Sequence, residues 1–280
     1  MRMISEVPLG AFLSGGVDSS AVVALMAQES STPVKTFSIG FEEQDFSELK
    51  YAKRVAEHVG AEYNEFIVRP NAVDVIPTLV DHYGEPYADS SAIPTYYVSK
   101  ETRKHVTVAL NGDGGDESFA GYERYMAMEI AELYKKIPNP LRKAFIEAPI
   151  NFLPSSELKK TRIRDVQRFL TSANEERSYR YFRWMSTFKP AVKPVIYTDD
   201  FAAKVAGQNN AALLDQWFDR ANGSGILDAT LLTDQMTYLP NDLLVKVDIA
   251  SMANSLEARS PFLDHKLIEF AASLPESLKM

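Results

Sequence analysis

The octapeptide LSGGVDSS, residues 13–20, restricts the fold most: it joins an apolar run at 9–13 to an apolar helical stretch at 17–28. Its adjacent glycines let the backbone turn sharply and approach a neighbour closely. A strand that ends in such a turn and restarts as a helix presents N–H groups at the strand's carboxyl end, where open α/β sheets bind ligands. By itself the stretch is either a capped surface turn or a cradle for an anion, in which the hydroxyls of Ser14, Ser19 and Ser20 also reach phosphate oxygens. Asp18 repels phosphate and is out of place in a bare anion cradle. It fits once a Mg2+ lies between carboxylate and phosphates. No Gly-Lys-Ser/Thr follows, so this is not a Walker loop.

The residues after it alternate in type. VKTFSIG at 34–40 reads as a strand, 47–59 has helical spacing with a stop at Gly60, 62–68 reads as a strand, 73–83 as a helix and 106–110 as an apolar strand. Strands separated by helices predict a doubly wound parallel α/β sheet. After Gly121 the pattern becomes helical, with examples at 124–136, 163–170, 175–188, 211–221 and 239–252, and strand signal almost vanishes. The expected organisation is an α/β nucleotide-binding core at 1–121 and a mainly helical part at 122–280, with 138–156 as the flexible connection. Both ends read as cut, as in an excised domain.

Composition narrows the functions. The net charge is −8, which argues against a nucleic-acid partner; the basic residues Lys159, Lys160, Arg162, Arg164 and Arg168 read as one solvated helix face. No apolar run is long enough for a membrane, and no signal peptide opens the chain. Cysteine is absent, which removes disulfides, thiolate nucleophiles and sulfur metal sites, and favours the cytoplasm. The four histidines are scattered without metal-ligand spacing, and Asn222-Gly223-Ser224 is a turn.

Two further stretches carry chemistry. LNGDGGDESFAGYERY at 110–125 follows an apolar strand and sets Asp113, Asp116 and Glu117 among three glycines. So many carboxylates in one Gly-rich loop are either solvated or bind a cation. LPNDLLVKVDIASMANSLEARSPFLDH at 239–265 reads as a helix, a loop through Ser260-Pro261, and another helix.

SGGVDSS resembles the pyrophosphate loop of the N-type ATP pyrophosphatases, which have an adenine nucleotide α-hydrolase-like fold and cut ATP to AMP and pyrophosphate. With the other two stretches, in this order, the whole chain resembles asparagine synthetase, whose loops read SG(E/D)GGDExFGGY and DxLVxVDxxSMAxSLExRxPFLD. The resemblance implies a ligase that uses ATP and Mg2+ to convert aspartate and ammonia into asparagine through a β-aspartyl-AMP. Leu13 and Ile39 match positions that frame the adenosine. Ser14, Gly15, Gly16, Asp18, Ser19 and Ser20 match the pyrophosphate loop, and Asp18 and Asp116 the Mg2+ carboxylates. Asn111 and Gly112 match a Ser-Gly pair near the nucleotide and adenylate, and Asp113 a glutamate that manages the ammonia proton. A homodimer is left open.

The chain departs from the family in two ways. Ile249 stands where many members carry Lys or Arg, and Lys246, one helical turn earlier, either supplies that charge or is a solvated lysine. The family's N-terminal glutaminase domain, with its cysteine nucleophile, is missing, so the resemblance makes that domain a partner within a full-length chain and leaves free ammonia to this piece. Glu257, Arg259 and Asp264 either orient substrate or pair internally to fix the helices, and the second reading is favoured because buried charges are normally paired. Glu85, Asp89, Ser90 and Ser91, in the polar loop YGEPYADSSAIPTYY at 83–97, are candidates for the acceptor pocket. The rival readings are an amide ligase for another carboxylate and a nucleotide-binding domain that has lost catalysis.

Overall fold

The computed structural model describes residues 2–41, 48–68, 72–148, 166–167, 169–188, 192–221 and 223–280. In chain order the elements begin β1 (Leu9–Phe12), α1 (Val17–Glu29), β2 (Lys35–Phe41), α2 (Leu49–Val59), β3 (Glu62–Val68), α3 (Ala72–Tyr83), α4 (Ala92–Arg103), β4 (Val108–Leu110) and α5 (Gly115–Phe119). A helical stretch follows: α6 (Glu123–Lys135), α7 (Asn139–Arg142), α8 (Arg177–Met185), α9 (Lys193–Ile196), α10 (Asp199–Lys204), α11 (Ala212–Arg220) and α12 (Ile226–Met236). Last come α13 (Leu244–Met252), β5 (Glu257–Arg259) and α14 (His265–Ser273).

The strands form one parallel sheet in the order β3-β2-β1-β4-β5, so the expected doubly wound α/β fold is present. Both faces are covered, as parallel sheets require. On one face Ala11, Leu13, Val108 and Leu110 pack with Val22, Val23 and Met26 of α1 and Ala52 and Ala56 of α2. The α1 residues follow the i, i+3, i+4 spacing of one helix side. On the other face Phe37, Ala109, Val106 and Leu256 form a second cluster. The helix α2 stops at Gly60, which takes φ +70° and closes the last turn onto Ala56 O.

The chain divides into two compact units, Met1–Phe119 with Thr237–Leu274, and Ala120–Met236 with Pro275–Met280. The α/β unit thus extends beyond the first 121 residues: residues 237–274 return to it and add β5 to the sheet edge, where a strand had not been expected. The three residues EAR are too short for any periodicity to mark them. The helical unit packs Met128, Tyr181, Phe218 and Ala229 from α6, α8, α11 and α12. The segment α12 escaped the sequence because it is buried on nearly every side, from Leu227 through Asp234, and so has no polar stripe. The expected connection at 138–156 begins as helix rather than loop, with α7 and a π turn at Lys143–Glu147. The rest of it, the whole basic cluster, part of the 163–170 helix, residue 47 and Asn222 lie outside the described residues. Among the described residues no helix is long and apolar enough to cross a membrane.

Candidate active site

Strands β2 and β3 lie on one side of β1, and β4 and β5 on the other. The connections leaving β1 and β4 therefore diverge at the carboxyl edge of the sheet and open the crevice in which doubly wound folds hold ligands. LSGGVDSS leaves β1 at this switch point and NGDGGDE leaves β4 beside it.

Glycine brings the two loops together. A Cβ on Gly112 would sit 2.9 Å from Ser19 N and 3.0 Å from Asp18 Cβ, and one on Gly115 would sit 2.4 Å from Asp18 Cγ. Gly15, at φ +86°, backs onto α2 so closely that a Cβ would lie 2.5 Å from Ala52 N. The small Ala52 makes that approach possible. Gly114, at φ +91°, turns the second loop against Leu263.

The hydroxyls of the first loop hold its shape. Ser14 Oγ accepts the Gly16 N–H at 3.1 Å and lies 2.9 Å from Ser19 Oγ, which accepts the Ser14 N–H at 3.2 Å. Ser20 Oγ donates to Gly16 O at 2.6 Å. Gly16 is the extended N-cap of α1 and no side chain caps the helix. First-turn N–H groups have no intrahelical acceptor, so this end presents positive dipole to the crevice.

Against that end lie the acids. Burial raises the Asp18 carboxyl above its ordinary value, and the charge of Asp116 adds to the rise. Asp113 is pushed up to about 6, first by burial and further by Asp116 and Asp18, while Lys246 pulls it back. Two mutually repelling carboxylates beside anion-binding amides suit a divalent cation that takes its other ligands from phosphate and water. Among the described residues no group of three or more acids or histidines could cage a metal alone.

Lys246 is only 12% exposed and donates to Asp89 Oδ2 at 2.8 Å. The Ser91 N–H and hydroxyl donate to Asp89 Oδ1 at 2.8 and 2.7 Å. Burial alone would raise Asp89, but the bonds from Lys246 and Ser91 and the lysine's charge outweigh it and hold the carboxyl low. The backbone beneath is pinned by a stacked pair, Tyr83 and Tyr87, 4.3 Å apart, whose hydroxyls donate to Lys246 O and Asp242 O. Ile249 packs instead with Val75, Leu79 and Tyr83. An apolar residue suits that position, and the cation that acts on Asp113 stands at 246.

The remaining positions separate clearly. Leu13 is 1% exposed in the core. Its N–H donates to Phe37 O at 2.9 Å, and its carbonyl accepts the Ser38 hydroxyl at 2.6 Å. Its polar groups are thus engaged, and what it offers a nucleotide is a fixed strand end. Ile39 is half-buried on β2, opposite Phe66 of β3. Asn111 donates its backbone N–H to Arg259 O at 2.9 Å and accepts the Ser260 hydroxyl at 2.6 Å. Ser260 was not foreseen, since nothing local marks a serine before a proline as a partner for a loop so distant in sequence. Arg259 pairs with Glu257 and ties down Arg2 O and Ile4 O, and Asp264 caps α14 through the Lys266 N–H.

The sequence model of the asparagine synthase family matches residues 1–280. The chain is 34% identical over 283 residues to asparagine synthetase (glutamine-hydrolyzing) 1 of Bacillus subtilis (strain 168), covering 100% of this chain and 42% of that protein. It is 32% identical over 284 residues to a putative asparagine synthetase (glutamine-hydrolyzing) of Mycobacterium tuberculosis (strain ATCC 25618 / H37Rv), covering 100% of this chain and 41% of that one. A second putative asparagine synthetase, from Methanocaldococcus jannaschii, is 34% identical over 90% of this chain and 46% of its own length. The chain spans less than half the length of these relatives.

Proposed function

The chain belongs to the asparagine synthase family, and on that premise we propose that it amidates L-aspartate to L-asparagine with ATP and ammonia, releasing AMP and pyrophosphate. The observation that carries this reading is the grouping of Asp18, Asp113 and Lys246 with Asp116 at the switch point, beside an uncapped helix N-terminus. A carboxylate is a poor electrophile, so its oxygen first attacks the α-phosphorus of ATP. The bond to pyrophosphate breaks and an acyl-adenylate forms. Ammonia then attacks the acyl carbon, AMP leaves, and one proton must leave the nitrogen.

Each residue has a part. The first-turn N–H groups of α1 and the loop around Gly15 and Gly16 bind the pyrophosphate oxygens. Asp18 and Asp116 hold Mg2+, which when bound neutralises charge on the phosphates. Asp113 accepts the ammonia proton on its carboxylate: a group that titrates at about 6 is ionised at neutral pH and basic enough to serve. Lys246 sets that basicity from the far side. In a longer protein the ammonia comes from glutamine through a glutaminase domain, a reading in keeping with the relatives' names, which call them glutamine-hydrolyzing.

The test is incubation with ATP, Mg2+, aspartate and ammonium chloride, with nucleotides and amino acids separated by chromatography. AMP, pyrophosphate and asparagine in equal amounts are expected. Cleavage to ADP and phosphate, or AMP release that ignores aspartate, would overturn the reading.

A further inference from the structure

Lysine carries a compact charge on a long, flexible stem, so what Lys246 does to Asp113 depends on where its ammonium is held. Both ends of that side chain are fixed. At the root, the Tyr83 hydroxyl donates to Lys246 O at 3.2 Å. At the tip, Nζ donates to Asp89 Oδ2 at 2.8 Å, and among the described residues no other side chain accepts from it.

Asp89 is built as an anchor. In ADSSA, residues 88–92, the second serine folds back onto the aspartate, so that the Ser91 N–H and hydroxyl reach Oδ1 at 2.8 and 2.7 Å. This local turn aims the carboxylate just ahead of α4, and the Ala92 N–H closes it by donating to Asp89 O at 3.1 Å. With Oδ2 on the lysine, both oxygens are engaged, and the side chain is only 20% exposed. To receive the ammonium group of an acceptor, Asp89 has to give up one of these bonds. The two charges of the pair therefore divide their work: the lysine's reaches Asp113, and the aspartate's holds the lysine.

We propose that Asp89 is a positioning residue for the amidation step, holding the Lys246 ammonium where its charge supports Asp113 as the acceptor of the ammonia proton. The proposal rests on the adenylating reading above. It sets the two halves of the reaction apart. Making the acyl-adenylate needs no such base, because a carboxylate attacks and pyrophosphate leaves, whereas ammonia must lose a proton. Asp89, one of the acceptor-pocket candidates in the loop at 83–97, is thereby assigned to the base rather than to the acceptor.

The test reads the two halves separately. Aspartate-dependent exchange of labelled pyrophosphate into ATP, run without ammonia, reports adenylation alone. Asparagine formation from ammonium chloride reports both halves. Asp89→Asn should lower kcat for asparagine ~10-fold and leave the exchange rate within about twofold of wild type. Loss of both would make Asp89 an acceptor ligand or a structural residue, and loss of neither would leave it without a role; either result overturns the proposal. If the wild-type protein shows no aspartate-dependent exchange, the adenylating reading itself falls.

A double-mutant cycle gives an independent check. Because Asp89 acts through Lys246, adding Asp89→Asn to Lys246→Ala should cost nothing further in asparagine formation, and additive losses would disconnect the two. Ser91→Ala keeps the Ser91 N–H on Oδ1 and removes the hydroxyl. It should lower kcat for asparagine only ~2–3-fold at an unchanged exchange rate, with Ser91→Thr restoring it. A loss in Ser91→Ala larger than that in Asp89→Asn would take the role away from the aspartate.

Discussion

The two units treat buried acids in opposite ways. In the helical unit Asp234 is fully buried, and one of its oxygens, Oδ2, accepts from Arg124 at 2.8 Å and from the hydroxyls of Tyr125 and Tyr181 at 2.6 Å each. Burial and the neighbouring carboxylate push both phenols far above their ordinary range, so they remain donors. Arg180, also fully buried, is answered by Glu132 at 2.6 Å. In the α/β unit Asp18 and Asp113 are pushed up by burial and further by other acids, and Lys246, the cation that acts on Asp113, is itself paired with Asp89. Charge that is matched within the protein holds the protein together. Charge left unmatched at a sheet's switch point is held for something that binds.

That contrast can be broken by measurement. The largest effect is expected from Asp234→Ala, which removes the carboxylate that Arg124, Tyr125 and Tyr181 share and should lower unfolding free energy by ~3–5 kcal/mol in urea denaturation. A loss under about 1 kcal/mol would mean that the helical unit does not depend on its matched charges. Asp18→Asn should do the reverse. The unfolding midpoint should stay or rise as the repulsion with Asp116 is relieved, while Mg2+-dependent pyrophosphate release falls about a thousandfold. Retained release would sink the metal assignment.

Lys246→Ala should be milder, with turnover down ~10-fold and a telltale pH shift. Asp113 must be ionised to take a proton, so kcat should fall as pH drops through about 6. Without the lysine's charge the fall should begin at higher pH; a limb that does not move would disconnect Lys246 from Asp113. Stability carries the opposite sign. A carboxyl raised to about 6 binds protons more tightly folded than unfolded, so its contribution is lost as pH rises between the ordinary carboxylate range and about 6, and Asp113→Asn should flatten that decline. The smallest effect belongs to an exposed matched pair. Removing Lys204, 70% exposed beside Asp200, should change stability by less than ~0.5 kcal/mol in the same denaturation.

What the sequence disclosed follows from how far each signal reaches. Strand, glycine turn and helix start are local events, so both loops and the sheet class are legible from residues 9–28 and 106–119. Crowded carboxylates among glycines betray Asp113 and Asp116 for the same reason. Lys246 and Ile249 sit one turn apart, and only packing against α3 and α4 decides which of them is buried in apolar contacts. The β5 edge and the Ser260 contact depend on pairing across the fold, and α12 is concealed because a helix buried all round has no periodicity to read.

The Ser260–Asn111 bond also has a consequence for the order of events during synthesis. The two Gly-rich loops are made before residue 120 of this sequence, whereas Ser260, the hydrogen-bond partner of Asn111, is made 149 residues after it. At typical elongation rates of ~5–20 residues per second, that separation lasts on the order of ten seconds. During that interval the nascent chain carries both loops without the edge strand that completes their sheet. The stretch that carries β5 and Ser260 therefore acts as a timer for the loops made before it, and a chain released before residue 260 leaves the ribosome with these contacts unmade.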